Sequence, residues 1–332
     1  MNTTLGYKLH SGKNSKAAYY MQVAFRDMLP DGLYRRRLEH ELSRCAELYD
    51  SDYIADRVDY YCKLKEPVVL GADAEPIGQL QRKGNPSTYY YDSREALQWF
   101  DPELRWRYLF GDVREIPSEP TVVKSRALGV DNSNSVLLKL DRCRHFVYIH
   151  DHLQPEEKED RAIFRGHIGT RENRARFCQM YSDNPRVDAA DTIPGSTEGF
   201  KHTSQSKPMM SFYEHLRFRY IMALEGNDVA SNLKWIMSSR SVAVMPKPTC
   251  ETWFMEGRLE AGVHYVEIRP DFADLEEKMD YYSSHLDELR TIVDNANRYV
   301  AQFRDWRRER YIALLVMRKY FGKVKGYGFF AK

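Results

Sequence analysis

Apolar and aromatic side chains recur at three- and four-residue steps between residues 15 and 65. They run through Ala18, Met21 and Phe25, then Leu38, Leu42, Ala46 and Tyr49, which is the spacing of an α-helix. Pro30-Asp-Gly interrupts the run. Residues 71–87 are polar with scattered Gly and Pro and predict a long loop. Short strands are expected at 107–110 and 121–124, joined by a turn dense in acids: Asp112, Glu115 and Glu119. Residues 145–149 predict another strand, and the charged stretch 151–161 after it is the best domain boundary.

Beyond that boundary the pattern changes. Residues 162–164 read as a buried strand, Arg165-Gly166 as a turn, and 173–180 as a helix. Strands at 220–224, 241–245 and 264–268 then alternate with helices at 231–239 and 274–290. Such alternation predicts an α/β fold with a parallel sheet. The expected organisation is a domain over 1–155 with a helical start followed by α/β, a second domain over 156–300, and a basic amphipathic helix over 301–332.

Composition adds class and location. With 332 residues, 42% of them hydrophobic, the chain is globular and long enough for two domains. Its 23 tyrosines suit sugar contacts, and equally suit half-buried surfaces. Net charge is only +2, but from Arg304 to Lys332 nine Lys/Arg face Asp305 and Glu309, a balance of +7 that leaves −5 elsewhere. That basic terminus, with Trp306, Tyr311, Leu314 and Tyr320 interleaved, points to an anionic surface: lipid headgroups through 304–325, or nucleic acid. The alternative is a helix packed back on its own domain. Five scattered cysteines suggest neither a zinc site nor a disulfide framework. No signal-peptide core or spanning run is visible, so a cytoplasmic protein is expected, peripheral to the inner face of the membrane if the tail binds lipid.

Ligands of open α/β sheets gather at the carboxyl ends of strands, where helix N-termini favour anions. Three segments fit. Phe164-Arg165-Gly166, followed by Arg171 and Arg174, offers a glycine for close approach and guanidiniums for phosphate oxygens, or else a strand-ending turn with solvated arginines. The segment 224–235 is a strand end, a turn at Gly226 and a helix opened by Asn227, Asp228 and Ser231, with Lys234 to add charge; ordinary capping is the competing explanation. The acidic turn supplies carboxylates able to deprotonate a hydroxyl, or is simply solvated.

The order of FRG, a strand–Gly–helix unit, Ser241-Val-Ala-Val244, Val263-His-Tyr-Val266 and Asp271-Phe-Ala-Asp-Leu275 resembles glycosyltransferase family 90. Gly111-Asp112, Pro120-Thr-Val-Val-Lys-Ser-Arg126, Asn134-Ser-Val-Leu-Leu-Lys-Leu140, Glu225-Gly-Asn-Asp228 and Glu251-Thr-Trp-Phe-Met-Glu256 resemble its bacterial, lipopolysaccharide-modifying branch. The likeness runs from about Arg107 to Arg304. It implies a GT-B architecture of two Rossmann-like domains facing a cleft, inversion at the anomeric carbon, no essential metal or other cofactor, and a UDP-sugar donor held by the second domain. On that model Arg174 contacts the diphosphate and the helix opening at Asn227–Ser231 lies beneath it. Asn232 stands where the animal enzymes carry a further arginine, with Lys234, Arg171 or Lys124 as substitutes. The base is Asp112 or Glu115. Lys124, Ser125, Arg126 and Asn134 would line the acceptor side, suiting an acidic or phosphorylated glycan. His264 and Tyr265 would meet the base or ribose, unless His264 is a core residue. Trp253 and Phe254 are sugar-stacking or core residues. Two rivals follow from the same sequence, a glycan phosphotransferase and a nucleic-acid-binding protein. The first lacks a phosphate-cradling GxxxxGK[ST] loop, and the second is opposed by the −5 outside the tail.

Overall fold

The computed structural model describes residues 13–193 and 206–325. The outermost residues of the first and last predicted segments, 1–12 and 326–332, lie outside them. In chain order the longer helices are α1 (Lys16–Asp27), α2 (Asp31–Ala46), α3 (Ser51–Tyr61), α4 (Ser87–Leu97), α5 (Glu172–Met180), α6 (Leu275–Ser284), α7 (Leu286–Ala301) and α8 (Trp306–Lys323). The strands of the two larger sheets are β1 (Tyr108–Leu109), β2 (Thr121–Val123), β3 (Ser135–Leu137), β4 (Glu159–Gly166), β5 (Val187–Asp191), β6 (Phe218–Met222), β7 (Val242–Met245) and β8 (Val266–Glu267). The fold is mixed α/β, and both sheets are parallel.

Two compact units emerge, and neither is one continuous stretch. Of the described residues, the first holds 13–14, 144–193, 206–248 and 256–302; the second holds 15–143, 249–255 and 303–325.

The first unit is built on a five-stranded sheet of order β8-β7-β6-β4-β5. Phe218-Arg-Tyr-Ile-Met222 and Val242-Ala-Val-Met245 are buried at every position, as strands covered on both faces must be. Phe164, Phe177, Tyr220, Phe272, Leu289 and Val293 share one core, into which α5, α6 and α7 contribute. β4 begins at Glu159, so the last three residues of the predicted charged linker are strand. Its charges are tolerated at the strand entrance because Arg217 reaches Glu159 at 2.6 Å and Arg219 reaches Asp160 at 2.8 Å. β5 was not expected: Val-Asp-Ala-Ala-Asp has weak strand preference and is held by its parallel pairing with β4.

In the second unit β1, β2 and β3 form a three-stranded parallel sheet. The helical start breaks twice. Pro30 precedes α2, and Asp50 caps α3 by accepting from the Tyr53 amide at 2.7 Å. The expected loop at 71–87 gives way to α4, beginning at Ser87. Its Asp92, Arg94 and Glu95 meet Arg142, Asp31 and Arg26 respectively. The predicted strand at 145–149 is absent: a single helical turn ends at His145, and in the first unit the Ile149 amide donates to Ser238 Oγ at 2.9 Å, not to a neighbouring strand.

The predicted tail helix, α8, packs within the second unit. Asp305 caps it through the amides of Arg307 and Arg308. Tyr311, Ile312, Leu314, Val316, Met317 and Tyr320 are buried. Its cations turn to acids of α2 and α3: Arg310 to Glu41, Arg318 to Glu39, Lys319 to Asp59. The apolar face expected to meet lipid is therefore occupied within the protein.

Candidate active site

The chain leaves β4 for β5 on one side, then crosses to β6 on the other, so the strand order reverses between β4 and β6. A crevice opens outside the carboxyl ends of strands at such a reversal. Here it is bounded by Gly166, ending β4, and by Leu224-Glu225-Gly226 after β6. Arg174, on the first turns of α5, spans it. Its guanidinium donates to the carbonyls of Glu225 (3.1 Å), His167 (2.9 Å) and Leu224 (2.8 Å), and Asn173 Nδ2 donates to Glu225 O at 3.0 Å. A Cβ added to Gly226 would stand 3.1 Å from Arg174 Nη2 and 3.5 Å from Arg171 Nε, so both arginines lie against this glycine.

Among the described residues neither Arg171 nor Arg174 forms an ion pair with a carboxylate, and Arg171 holds only the Ile168 carbonyl, at 3.3 Å. Burial and the like charges of Arg171 and Arg144 press the Arg174 guanidinium down to about 10. Two arginines seated on backbone carbonyls, with the charge of Arg144 acting on Arg174, form a cationic site suited to an anion. Asp191, buried at the end of β5, steadies the loop by accepting from the amides of Ile168 and Ile193. Gly169 in that loop has φ +53°, and a Cβ there would meet Arg171 Nη1 at 2.9 Å. Arg144 was not foreseen; it lies about thirty residues before Arg174 with no motif around it.

Other expected donor residues are placed differently. Arg165 turns away to Asp188 on β5, at 2.5 Å. Burial tends to raise the Asp188 pKa, but Arg165 and Lys207 outweigh it and hold the carboxyl below its usual range. The helix expected at 231–239 shrinks to the single turn Leu233–Ile236, so Asn227, Asp228 and Ser231 lie in bends and turns, not at a helix N-terminus. Asn232 Nδ2 donates to Met222 O at 2.9 Å, tying this turn to β6. Lys234 is fully buried and ion-paired with Glu256, so its charge is directed inward. His264 is half-buried; its Nδ1 accepts from the Glu260 amide at 3.1 Å, and burial lowers its pKa. Tyr265 is buried with its hydroxyl on Glu267 at 2.7 Å, and burial pushes its pKa up.

In the second unit, Asp112 and Lys124 meet in an ion pair beyond the carboxyl ends of β1 and β2. Lys124 is buried, Asp112 half-buried, and Glu115 exposed. Ser125 Oγ fastens the turn, donating to Val113 O at 3.1 Å and accepting from its amide at 3.2 Å. Arg126 does not line an open surface. It is fully buried, reaching Glu251 Oε1 at 2.8 Å, Ser135 O at 3.1 Å and Tyr60 O at 2.8 Å. Asn134 Nδ2 donates to Pro117 O. Glu119 accepts from the Gly71 amide and pairs with Arg107. Trp253 and Phe254 are core residues, packed on Phe303. A groove of about 450 Å³, lined by Asp73, Tyr108, Leu109 and Glu119 among others, opens at the opposite, amino-terminal end of the same strands; of the acidic turn it takes in Glu119 but neither Asp112 nor Glu115.

A parallel α/β sheet with arginines at its strand reversal is an arrangement suited to an anionic group. The profile of Glycosyl transferase family 90 matches residues 142–315, a span that includes the whole crevice. The chain belongs to glycosyltransferase family 90, and to its bacterial branch. It is 40% identical over 314 residues to the O-glucosyltransferase LpsA of Dichelobacter nodosus, covering 93% of this chain and 96% of that one. Protein O-glucosyltransferase 3 of Homo sapiens is 28% identical over 142 residues, covering 41% of this chain and 27% of its own length. Protein O-glucosyltransferase 2 of Danio rerio is 25% identical over 170 residues, covering 49% and 33%. Its chemistry is glycosyl transfer. No described helix is long and apolar enough to cross a membrane.

Proposed function

We propose that the protein moves a sugar from a UDP-sugar to a hydroxyl of lipopolysaccharide or another lipid-linked surface glycan, with inversion and without an essential metal. The observation that carries this reading is the pair of arginines, Arg171 and Arg174, gathered over Gly226 without a carboxylate partner. A departing diphosphate needs positive charge fixed in advance, and guanidiniums on rigid carbonyls supply it. The relatives, O-glucosyltransferases by name, favour glucose as the sugar transferred. The two units act as the donor and acceptor halves of a GT-B enzyme working at the cytoplasmic face of the membrane. Asp112 or Glu115 takes the proton of the acceptor hydroxyl as its oxygen attacks the anomeric carbon. The leaving UDP is held by Arg174 and Arg171, with Arg144 adding to the field.

The test is thermal stabilisation by UDP, GDP, CMP, ADP and their sugars, with and without EDTA. Stabilisation by UDP and one UDP-sugar that survives EDTA is expected. A shift with another nucleotide only would overturn the donor. A shift abolished by EDTA would overturn metal independence.

A further inference from the structure

Helix α1 presents two faces of opposite use. One carries Tyr19, Tyr20, Val23 and Arg26 and packs toward α4: Tyr19 donates to Asp92 at 2.8 Å, Tyr20 bonds Ser87 at 2.6 Å, and Arg26 pairs with Glu95 at 2.9 Å. The other face is composed of Ala17, Ala18, Met21, Ala24, Phe25 and Met28, at helical spacing and without a single charge. A solvent-facing helix surface ordinarily carries the polar residues. Here Met21 is 68% exposed, Phe25 71% and Met28 79%, and Leu29 and Leu33 extend the patch into α2.

The surrounding charge is positive. Lys16 opens α1, and Arg35, Arg36 and Arg37 follow Leu33 on α2, all exposed. The acids of the same stretch are already committed, Asp27 to Arg26 and Asp31 to Arg94. An uncharged apolar ridge bordered by unpaired cations is the form of a surface that inserts among acyl chains while its margins meet anionic headgroups. The apolar side of α8, by contrast, is already filled from within the second unit.

We propose that the outward face of α1 and the start of α2 dock this protein on an anionic lipid bilayer. Phe25, Met21 and Met28 enter the interface, and Arg35–Arg37 hold the headgroups. The placement agrees with a lipid-linked acceptor but does not depend on one, because vesicle binding requires no turnover.

The experiment is flotation of the full chain with vesicles of phosphatidylethanolamine containing about one-third phosphatidylglycerol, beside vesicles of phosphatidylcholine alone. The wild type is expected to float with the anionic vesicles only. Phe25→Ser with Met28→Ser should lower partitioning at least about tenfold. Arg35→Gln, Arg36→Gln and Arg37→Gln together should remove most of its salt sensitivity. Melting temperature and UDP stabilisation should be unchanged in both variants, since these side chains face outward. Three results would overturn the proposal: equal flotation of wild type and variants, a wild type that stays in the aqueous fraction, or a wild-type dimer in light scattering that Phe25→Ser converts to monomer without any vesicle binding.

Discussion

Gly226 lies directly against Arg174: a Cβ at this glycine would stand 3.1 Å from Nη2, closer than side chains normally pack. The guanidinium is fixed by three carbonyls and cannot yield without releasing some of them. Gly226→Ala should therefore displace the arginine and leave the sheet intact. Hydrogen bonds to charged groups contribute roughly 1.5–3 kcal/mol, so nucleotide affinity should fall about tenfold or more. Calorimetric titration with UDP beside a far-UV spectrum checks this. Unchanged affinity would place the diphosphate elsewhere.

Asp112 is ion-paired with Lys124, whereas Glu115 three residues later is exposed. If Asp112 is the base, the incoming hydroxyl must share it with the lysine, and Asp112→Asn should lower kcat by about 10²–10⁴. Glu115→Gln should then change turnover little. The reverse pattern would assign the base to Glu115. Near wild-type kcat in both variants would remove the acidic turn from the chemistry.

Glu309 on α8 is buried between two cations. It receives Arg57 Nη2 at 3.1 Å on both oxygens and is ion-paired with Lys139, which follows β3. Burial depresses the Lys139 pKa, and the positive charges of Arg57, Arg142 and Arg308 act in the same sense. Glu309→Gln leaves the buried Arg57 guanidinium facing a neutral amide, and breaking such a buried pair typically costs about 3–5 kcal/mol. Urea unfolding should show that loss. A change below about 1 kcal/mol would mean that packing alone seats the helix.

Much of this arrangement was readable from residue types. Continuous apolar runs betray β6 and β7 because both faces are covered, and Gly166 and Gly226 mark the turns that leave two strands of the sheet. What failed had physical causes. α4 opens on Ser, Thr and three Tyr, which are indifferent helix formers, and its helix is held by ion pairs with residues about fifty to seventy positions away. In α1, Ala18, Met21 and Phe25 repeat at helical spacing, but so do Tyr19, Val23 and Arg26, and periodicity alone does not say which stripe faces in. The missing helix at 231–239 ends early because Ser238 and Ser239 donate back to Trp235 O and Ile236 O, local bonds that compete with continuation. Arg126 was expected at the surface because arginine usually is; only the fold brings Glu251 to it.

His215, which ends the helical turn just before β6, supplies a pH test of the packing against Trp235. It is buried, its Nδ1–H donates to Ser211 O at 2.7 Å, and its ring stands edge-on to Trp235 at 5.6 Å. Burial lowers its pKa below the ordinary 6.5, the Ser211 carbonyl acting in the opposite sense but less strongly. The folded protein thus takes up this proton less readily than the unfolded chain, and stability rises with pH across the interval between the two values. Its contribution is complete above the ordinary histidine range and is lost as pH falls through about 6.5 and below. His215→Gln removes the group that must be charged. The wild type should therefore lose more melting temperature than the variant between about pH 7.5 and pH 5.5. His264, shifted in the same direction, leaves part of the acid sensitivity in place. Parallel losses in the two proteins would show that the His215 proton is bound equally in the folded and unfolded states.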